Sequence, residues 1–152
     1  MDYVSYIRRM VGHSEIIMSC AACIIPDENG AVLLQKRVGS GLWGLPGGLM
    51  ELGESFDETA KRETSEETGL TVEIDKLQGV YSKYFAQCAN GDKLQSVLAV
   101  FIGHIVGGEM KCDPKETLEL RYFGKDELPE IFCRTHRDIL EDYFGGKTGC
   151  FR

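Results

Sequence analysis

Gly48-Leu-Met-Glu51-Leu-Gly-Glu54-Ser-Phe-Asp-Glu-Thr-Ala-Lys-Arg62-Glu63-Thr-Ser-Glu66-Glu67-Thr-Gly69-Leu70 holds a helix whose two ends are written into the sequence. Ser55-x-x-Glu58 is a capping box, in which each side chain satisfies a backbone amide that the first turn leaves unpaired. Gly69 stands where a left-handed residue closes a helix. The spacing predicts a helix over 56–68. On a wheel of roughly 100° per residue with Glu63 at zero, Phe56 falls near +20°, Ala60 near +60°, Glu67 near +40°, Leu70 near −20° and Glu66 near −60°. Asp57 and Glu58 lie on the far side and read as a solvated face. Glu63, Glu66 and Glu67 instead share the stripe that Phe56, Ala60 and Leu70 mark as inward. Like charges three and four residues apart repel by about a few tenths of a kcal/mol per pair, so the cluster needs an offset.

A divalent cation supplies one. Clustered carboxylates without histidine or cysteine partners suit Mg2+ or Mn2+ rather than zinc. Between Glu51 and Glu67 seven acids face only Lys61 and Arg62, a local charge of −5 within a chain whose net charge is −7. Arg62, beside Glu63 and in reach of Glu54, is placed to orient carboxylates while balancing one of them.

Working outward, the stretch from Gly39 to Gly48 is a glycine-rich connection holding Trp43 and Pro46. Before it, Ile16 to Ile25 and Ala31 to Arg37 are apolar runs separated by Pro26-Asp-Glu-Asn29-Gly30, and Asn-Gly between two such runs predicts a β-hairpin. After the helix, strands are expected over 72–85 and 94–106 around a loop at Asn90-Gly91-Asp92, and another over 118–123. Tyr3, Tyr6, Ile7, Met10 and Val11 follow a helical stripe in a short N-terminal docking segment, 1–12. Phe132, Ile139, Leu140, Tyr143 and Phe144 do the same near the C-terminus. Several strands interrupted by one central and one terminal helix predict an α/β fold with a mixed sheet covered on both faces.

Composition narrows the function. With 24 acids against 17 basic residues among 152, no basic face is visible for polymeric nucleic acid or an anionic membrane. No segment reaches the roughly 20 apolar residues that span a bilayer. Arg8-Arg9 followed by the 16–25 run is too interrupted for a signal peptide, and the expected compartment is cytoplasmic. The six cysteines are scattered, which suits reduced, structural thiols. His13, His104 and His136 show no ligand or triad spacing. The apolar stripe of the N-terminal segment faces either its own domain or a twin subunit, so a homodimer is a candidate assembly.

The quoted stretch resembles the Nudix box: glycine, five residues, glutamate, seven residues, Arg-Glu, aliphatic, any residue, Glu-Glu, any residue, glycine, aliphatic. Thr64 is the one departure, standing where the family usually carries an aliphatic residue. Trp43-Gly-Leu-Pro46-Gly47 also looks like the family's lead-in. The resemblance implies an α/β/α sandwich, with residues 1–152 as one Nudix domain and 48–70 as its loop-helix-loop. It implies hydrolysis of a small nucleoside diphosphate linked to another moiety, such as a nucleotide sugar, ADP-ribose or a nucleoside triphosphate, by metal-activated water. Carried over by position, Glu63, Glu66 and Glu67 are the implied metal ligands, with the Gly47 carbonyl and Glu116 as further candidates and Mg2+ as the expected ion. Glu63, Arg62 and Glu54 are the candidate catalytic residues. Glu63 is the first choice of base, and Glu116 or Glu119 the alternative. For the substrate's other half the candidates are Arg37, Trp43, Tyr81 and Tyr84, with Phe85 beside them. A reading from a different class is a nucleotide-binding regulator on the same fold without turnover, against which the intact acids argue.

Overall fold

The computed structural model describes residues 2–152. Helix α1 (Tyr3–Val11) begins at Asp2, whose carboxylate accepts from the Ser5 N–H at 2.8 Å. It docks by polar ties: the Tyr3 N–H donates to Glu51 at 2.9 Å, and the Arg8 guanidinium donates to the carbonyls of Gly12, Ser14 and Lys93. Tyr6 and Met10 stay exposed.

Strands β1 (Ile16–Ile24), β4 (Gly47–Leu49), β5 (Leu70–Gln87), β6 (Lys93–Gly108) and β8 (Cys150–Phe151) form a mixed five-stranded sheet in the order β4-β1-β6-β5-β8. The β1–β6 pair is parallel and β5–β6 antiparallel. Strands β2 (Val32–Arg37), β3 (Trp43–Gly44) and β7 (Thr117–Phe123) form a second sheet in the order β3-β2-β7. Helix α2 (Phe56–Thr68) packs against β1, β4 and β5, and α3 (Arg134–Phe144) against β5. Alternate residues at the end of β1 and just past it enter two apolar clusters. Ala22 and Ile24 join Leu34, Leu45, Tyr81, Val100, Ile139 and Leu140, while Cys23 and Ile25 join Leu33, Leu70 and Val72. Opposite pointing of successive side chains on a strand is what divides them. All six cysteines are free, and Cys20 and Cys23 go to different sides.

The expected hairpin between the first two strands forms only next to its turn and does not extend along the strands. The turn is there, with the Asp27 carboxylate accepting from the amides of Asn29 and Ala31, but only an isolated bridge, Pro26 to Val32, joins its arms. Strand β1 already has β4 on one edge and β6 on the other, so the chain crosses to the second sheet and β2 pairs with β7 instead.

Helix α2 runs from Phe56 to Thr68 as its caps require, with Ser55 and Glu58 exchanging both capping bonds and Gly69 at φ 73°. Thr64 lies fully buried on its underside, and its hydroxyl has no hydrogen-bond partner among the described residues. An unpaired buried hydroxyl is unfavourable, and valine has the same shape without it. Thr64→Val is therefore expected to raise stability by about 1 kcal/mol, read as a shift in urea midpoint at constant m-value; an unchanged or lowered midpoint would contradict the packing described. Among the described residues no helix is long and apolar enough to cross a membrane.

Candidate active site

The buried residues of α2 are Thr59, Ala60, Thr64, Glu67 and Thr68, which centre its inward face roughly 65° around the wheel from Glu63. Glu67 therefore points fully inward, Glu63 lies at the edge, and Glu66 falls outside. The Glu66 side chain is 57% exposed, with Arg62 Nη1 3.3 Å away. Its expected place on the inward stripe is corrected accordingly: Ala60 and Glu67, not Leu70, mark the middle of that face.

Arg62 spans the outer half of the site. Its Nε and Nη2 grip the two oxygens of Glu54 at 2.5 and 3.0 Å, Nη1 donates to Glu63 at 2.8 Å, and Nη2 also reaches the Leu49 carbonyl at 3.0 Å. The two-pronged hold on Glu54 is the geometry a planar guanidinium favours. Those hydrogen bonds hold the Glu54 carboxyl well below the usual carboxylate range, at about 2. Glu54 also accepts from the Glu51 amide and the Thr59 hydroxyl. It is thus an anchored, fully charged brace for Arg62.

Glu67 is only 3% exposed. Its Oε2 accepts from Gln35 Nε2 at 2.7 Å and from the Gly47 N–H at 2.8 Å. Gln35 is oriented in turn by the Thr117 hydroxyl, which lies 2.8 Å from Gln35 Oε1 and 3.0 Å from the Glu67 carbonyl. Burial pushes the Glu67 carboxyl up to about 8, against the opposing pull of the Gly47 amide. Glu63 is shifted upward as well, by burial first, with Arg62 opposing. Glu63, Glu67 and Glu116 each bring a carboxylate oxygen within 4.8 Å of the others. Glu116 arrives just before β7, the strand paired with β2. Glu119, the other alternative base, is turned to Arg121 and lies outside this cluster.

A cavity of about 510 Å³ opens beside these acids, bounded by Gly47, Gly48 and Leu49, by Arg37, and by Tyr84 and Phe85 of β5. The start of α3 closes the other side. Arg37 reaches into this space with its guanidinium 4.5 Å above the Phe132 ring. Two of the proposed substrate-binding aromatics are elsewhere. Trp43 is buried edge-on against Phe123, 4.8 Å between centroids, and Tyr81 is fully buried with its hydroxyl donating to Asp142 at 2.9 Å. Both serve the core, because inward register on strands facing α3 leaves no path to the cavity. Tyr84 does line it, donating its hydroxyl to Asp138 at 2.7 Å, and Phe85 stands 62% exposed at its edge. A larger hollow, about 610 Å³, lies along α3 and includes no residue of the 48–70 stretch.

The NUDIX domain family model matches residues 17–143. The chain belongs to the Nudix family. It is 35% identical over 129 residues to an ADP-ribose pyrophosphatase of Methanocaldococcus jannaschii, covering 82% of this chain and 72% of that protein. It is 45% identical over 125 residues to a MutT-like protein of Streptomyces ambofaciens, covering 82% and 75%. Among solved structures, a NUDIX hydrolase from Nitrosomonas europaea superposes with a TM-score of 0.71 at 30% identity, over 91% of this chain and 79% of that one. Nudix hydrolases work with divalent metals, and the residues here fit one. Three carboxylates converge, two of them raised by their own crowding and burial, and oxygen-only donors suit a hard cation.

One residue lining this Nudix cavity was passed over in the sequence. His136 is buried, and its Nδ1 accepts from the Leu45 N–H at 3.0 Å. That bond leaves the proton of the neutral ring on Nε2. No spacing signal marks it, since its partner is a backbone amide 91 positions away. Burial first, and the Arg37 charge second, hold it at about 3, below its ordinary 6.5. The unfolded chain therefore takes up this proton more readily. Stability is complete above pH 6.5 and falls as the pH drops from 6.5 toward 3. His136→Asn keeps an acceptor for Leu45 but cannot titrate. Between pH 7 and 4 the wild type is expected to lose about 3 kcal/mol more stability than this variant. Urea titrations at each pH check it, and parallel pH profiles would refute it.

Proposed function

We propose that this Nudix pyrophosphohydrolase hydrolyses the diphosphate bond of a small nucleoside diphosphate linked to a further moiety, using Mg2+, with Mn2+ as a substitute. The observation that carries the reading is the convergence of Glu63, Glu67 and Glu116 behind Gly47 and Gly48 of a cavity wall that also presents the guanidinium of Arg37, which has no acidic partner among the described residues. The Nudix relative named as an ADP-ribose pyrophosphatase supports a nucleotide substrate whose second half is a sugar.

The proposed ligands are Glu63, Glu66 and Glu67, with Glu116 and the Gly47 carbonyl completing the set. A bound Mg2+ supplies charge neutralisation to the diphosphate and acidity to water. The protein's own residues do the rest. Arg37 binds a phosphate oxygen, and its stacking on Phe132 fixes where that charge sits. Gln35 and the Gly47 amide hold Glu67 in one orientation. Arg62, braced by Glu54, holds the Glu63 carboxylate against Gly48. Glu63 takes the proton of the attacking water. Its burial raises its affinity for that proton, with Arg62 opposing. Tyr84 and Phe85 offer the apolar surface for the group beyond the diphosphate.

The test is product release from a panel of nucleoside diphosphate sugars, ADP-ribose and nucleoside triphosphates, with and without Mg2+, for wild type and Glu67→Gln. Metal-dependent turnover of at least one class is expected. Tight nucleotide binding with no product over hours would replace the enzyme by a nucleotide-binding regulator.

A further inference from the structure

Beside the catalytic cavity lies a second hollow of about 460 Å³, lined by Lys83, Tyr84, Phe85, Arg134, Asp138 and Arg152. Lys83, Tyr84, Phe85 and Arg134 line both, so a ligand filling the first reaches the second across them. Three of the six lining residues are cations and one is an acid, in a chain with a net charge of −7. The single acid is already shared. Asp138 accepts from the Tyr84 hydroxyl at 2.7 Å and faces Arg134 at 3.7 Å and Arg152 at 3.6 Å. Lys83 has no acidic partner among the described residues, and Arg134 is 81% exposed.

The groove is built rather than incidental. The β5–β6 register shifts between Tyr81 and Tyr84, a bulge of the kind that re-aims side chains next to active sites. The Ser82 and Lys83 amides freed by this shift donate to the Arg152 carbonyl at 2.5 and 3.4 Å, and the Arg152 amide donates to Val80 at 3.0 Å. The Arg152 side chain crosses to Asp138 and to the buried Asp142 at 3.7 Å. Arg134 is the first residue of the eleven-residue helix α3, so the positive end of that helix's dipole lies at the groove.

We propose that this groove binds a phosphate monoester carried by the substrate at a distance from the diphosphate. The inference rests on the proposed function and specifies what the group beyond the diphosphate bears. A third phosphate continuing directly from the other two is a poorer match, because Tyr84 and Phe85 intervene between the acidic cluster and the cations. Their apolar surface suits a sugar or base ring. The substrate that fits has anionic charge at two ends and a ring between them.

The test uses substrates that differ by one phosphate: NADP against NAD, and coenzyme A against its 3′-dephospho form. In calorimetry without added metal, the phosphorylated member is expected to bind the wild type about tenfold more tightly in at least one pair. Lys83→Glu and Arg134→Glu are each expected to erase that preference. In turnover with Mg2+ the same variants should raise KM for the phosphorylated member by about tenfold while moving its twin far less. Equal affinity for both members of both pairs would overturn the proposal, as would charge reversals that weaken both members alike. Loss of turnover on every nucleotide, with the binding preference intact, would instead defeat the proposed reaction and leave the groove standing.

Discussion

Glu67→Gln is expected to lower kcat by about a thousandfold while leaving the protein folded, because it removes one charge from the centre of the carboxylate cluster without removing its shape. The glutamine carbonyl can still accept from Gln35 and the Gly47 amide, which both address one oxygen of Glu67. The variant differs in what it does to stability, and that separates a ligand from a merely buried acid. In the metal-free protein the Glu67 carboxyl sits at about 8 against an ordinary 4.5, raised by burial. A raised folded value means that its contribution is fully present below pH 4.5 and is lost as the pH climbs through 8. Without metal at pH 8, then, Glu67→Gln should be the more stable protein, by several kcal/mol at most. Added Mg2+ should reverse the order, since an ion that binds only the folded wild type stabilises it by mass action. Thermal melts with chelator and with excess Mg2+, run beside the turnover assay, read both halves. Wild-type activity in the variant, or identical Mg2+ responses in the two proteins, would refute the role given to Glu67.

What the sequence made legible was local. The capping box and Gly69 bounded α2, the wheel put Glu67 inward, and the neighbourhood of Arg62 in the chain put it in reach of Glu54, as found. Glu66 was misplaced because the wheel was centred on Phe56, Ala60 and Leu70, whereas Thr59, Thr64 and Thr68 are also buried and together move the centre of the face away from it; polar residues in an inward stripe are invisible to an apolar pattern. The remaining site depends on strand pairing between distant segments. Gln35 meets Thr117 across 82 positions only because β2 pairs with β7, and that pairing exists because both edges of β1 are occupied. Trp43 and Tyr81 failed as base-stacking candidates for the same reason: an aromatic on a strand reads alike whether its face meets a cavity or a helix. Phe85 and Lys83, near the β5 bulge, are the ones turned outward.

The second large effect comes from a residue with no side chain. A Cβ on Gly48 would lie 2.5 Å from the Glu63 carboxyl carbon and 2.6 Å from both its oxygens, well inside van der Waals contact. The obstacle is the far end of a flexible side chain, so the fold can absorb Gly48→Ala by letting Glu63 swing away. That movement gives up the 2.8 Å bond from Arg62 and takes the carboxylate out of the cluster with Glu67 and Glu116. Gly48→Ala is therefore expected to cut kcat by about a hundredfold with little change in melting temperature. Gly47 is the control. Its Cβ would meet the Ala21 carbonyl oxygen at 2.4 Å and Ala22 Cα at 2.7 Å, rigid backbone of the strand that β4 pairs with. Gly47→Ala must push the two strands apart, and its first symptom should be a lower melting temperature. Activity lost without stability at Gly48, and stability lost at Gly47, is the signature of a glycine pair that seats a carboxylate on one residue and a strand on the next. If Gly48→Ala kept wild-type kcat, Glu63 would not need its seat and could not be the base; if it unfolded the protein as Gly47→Ala does, the flexible-end argument would fail.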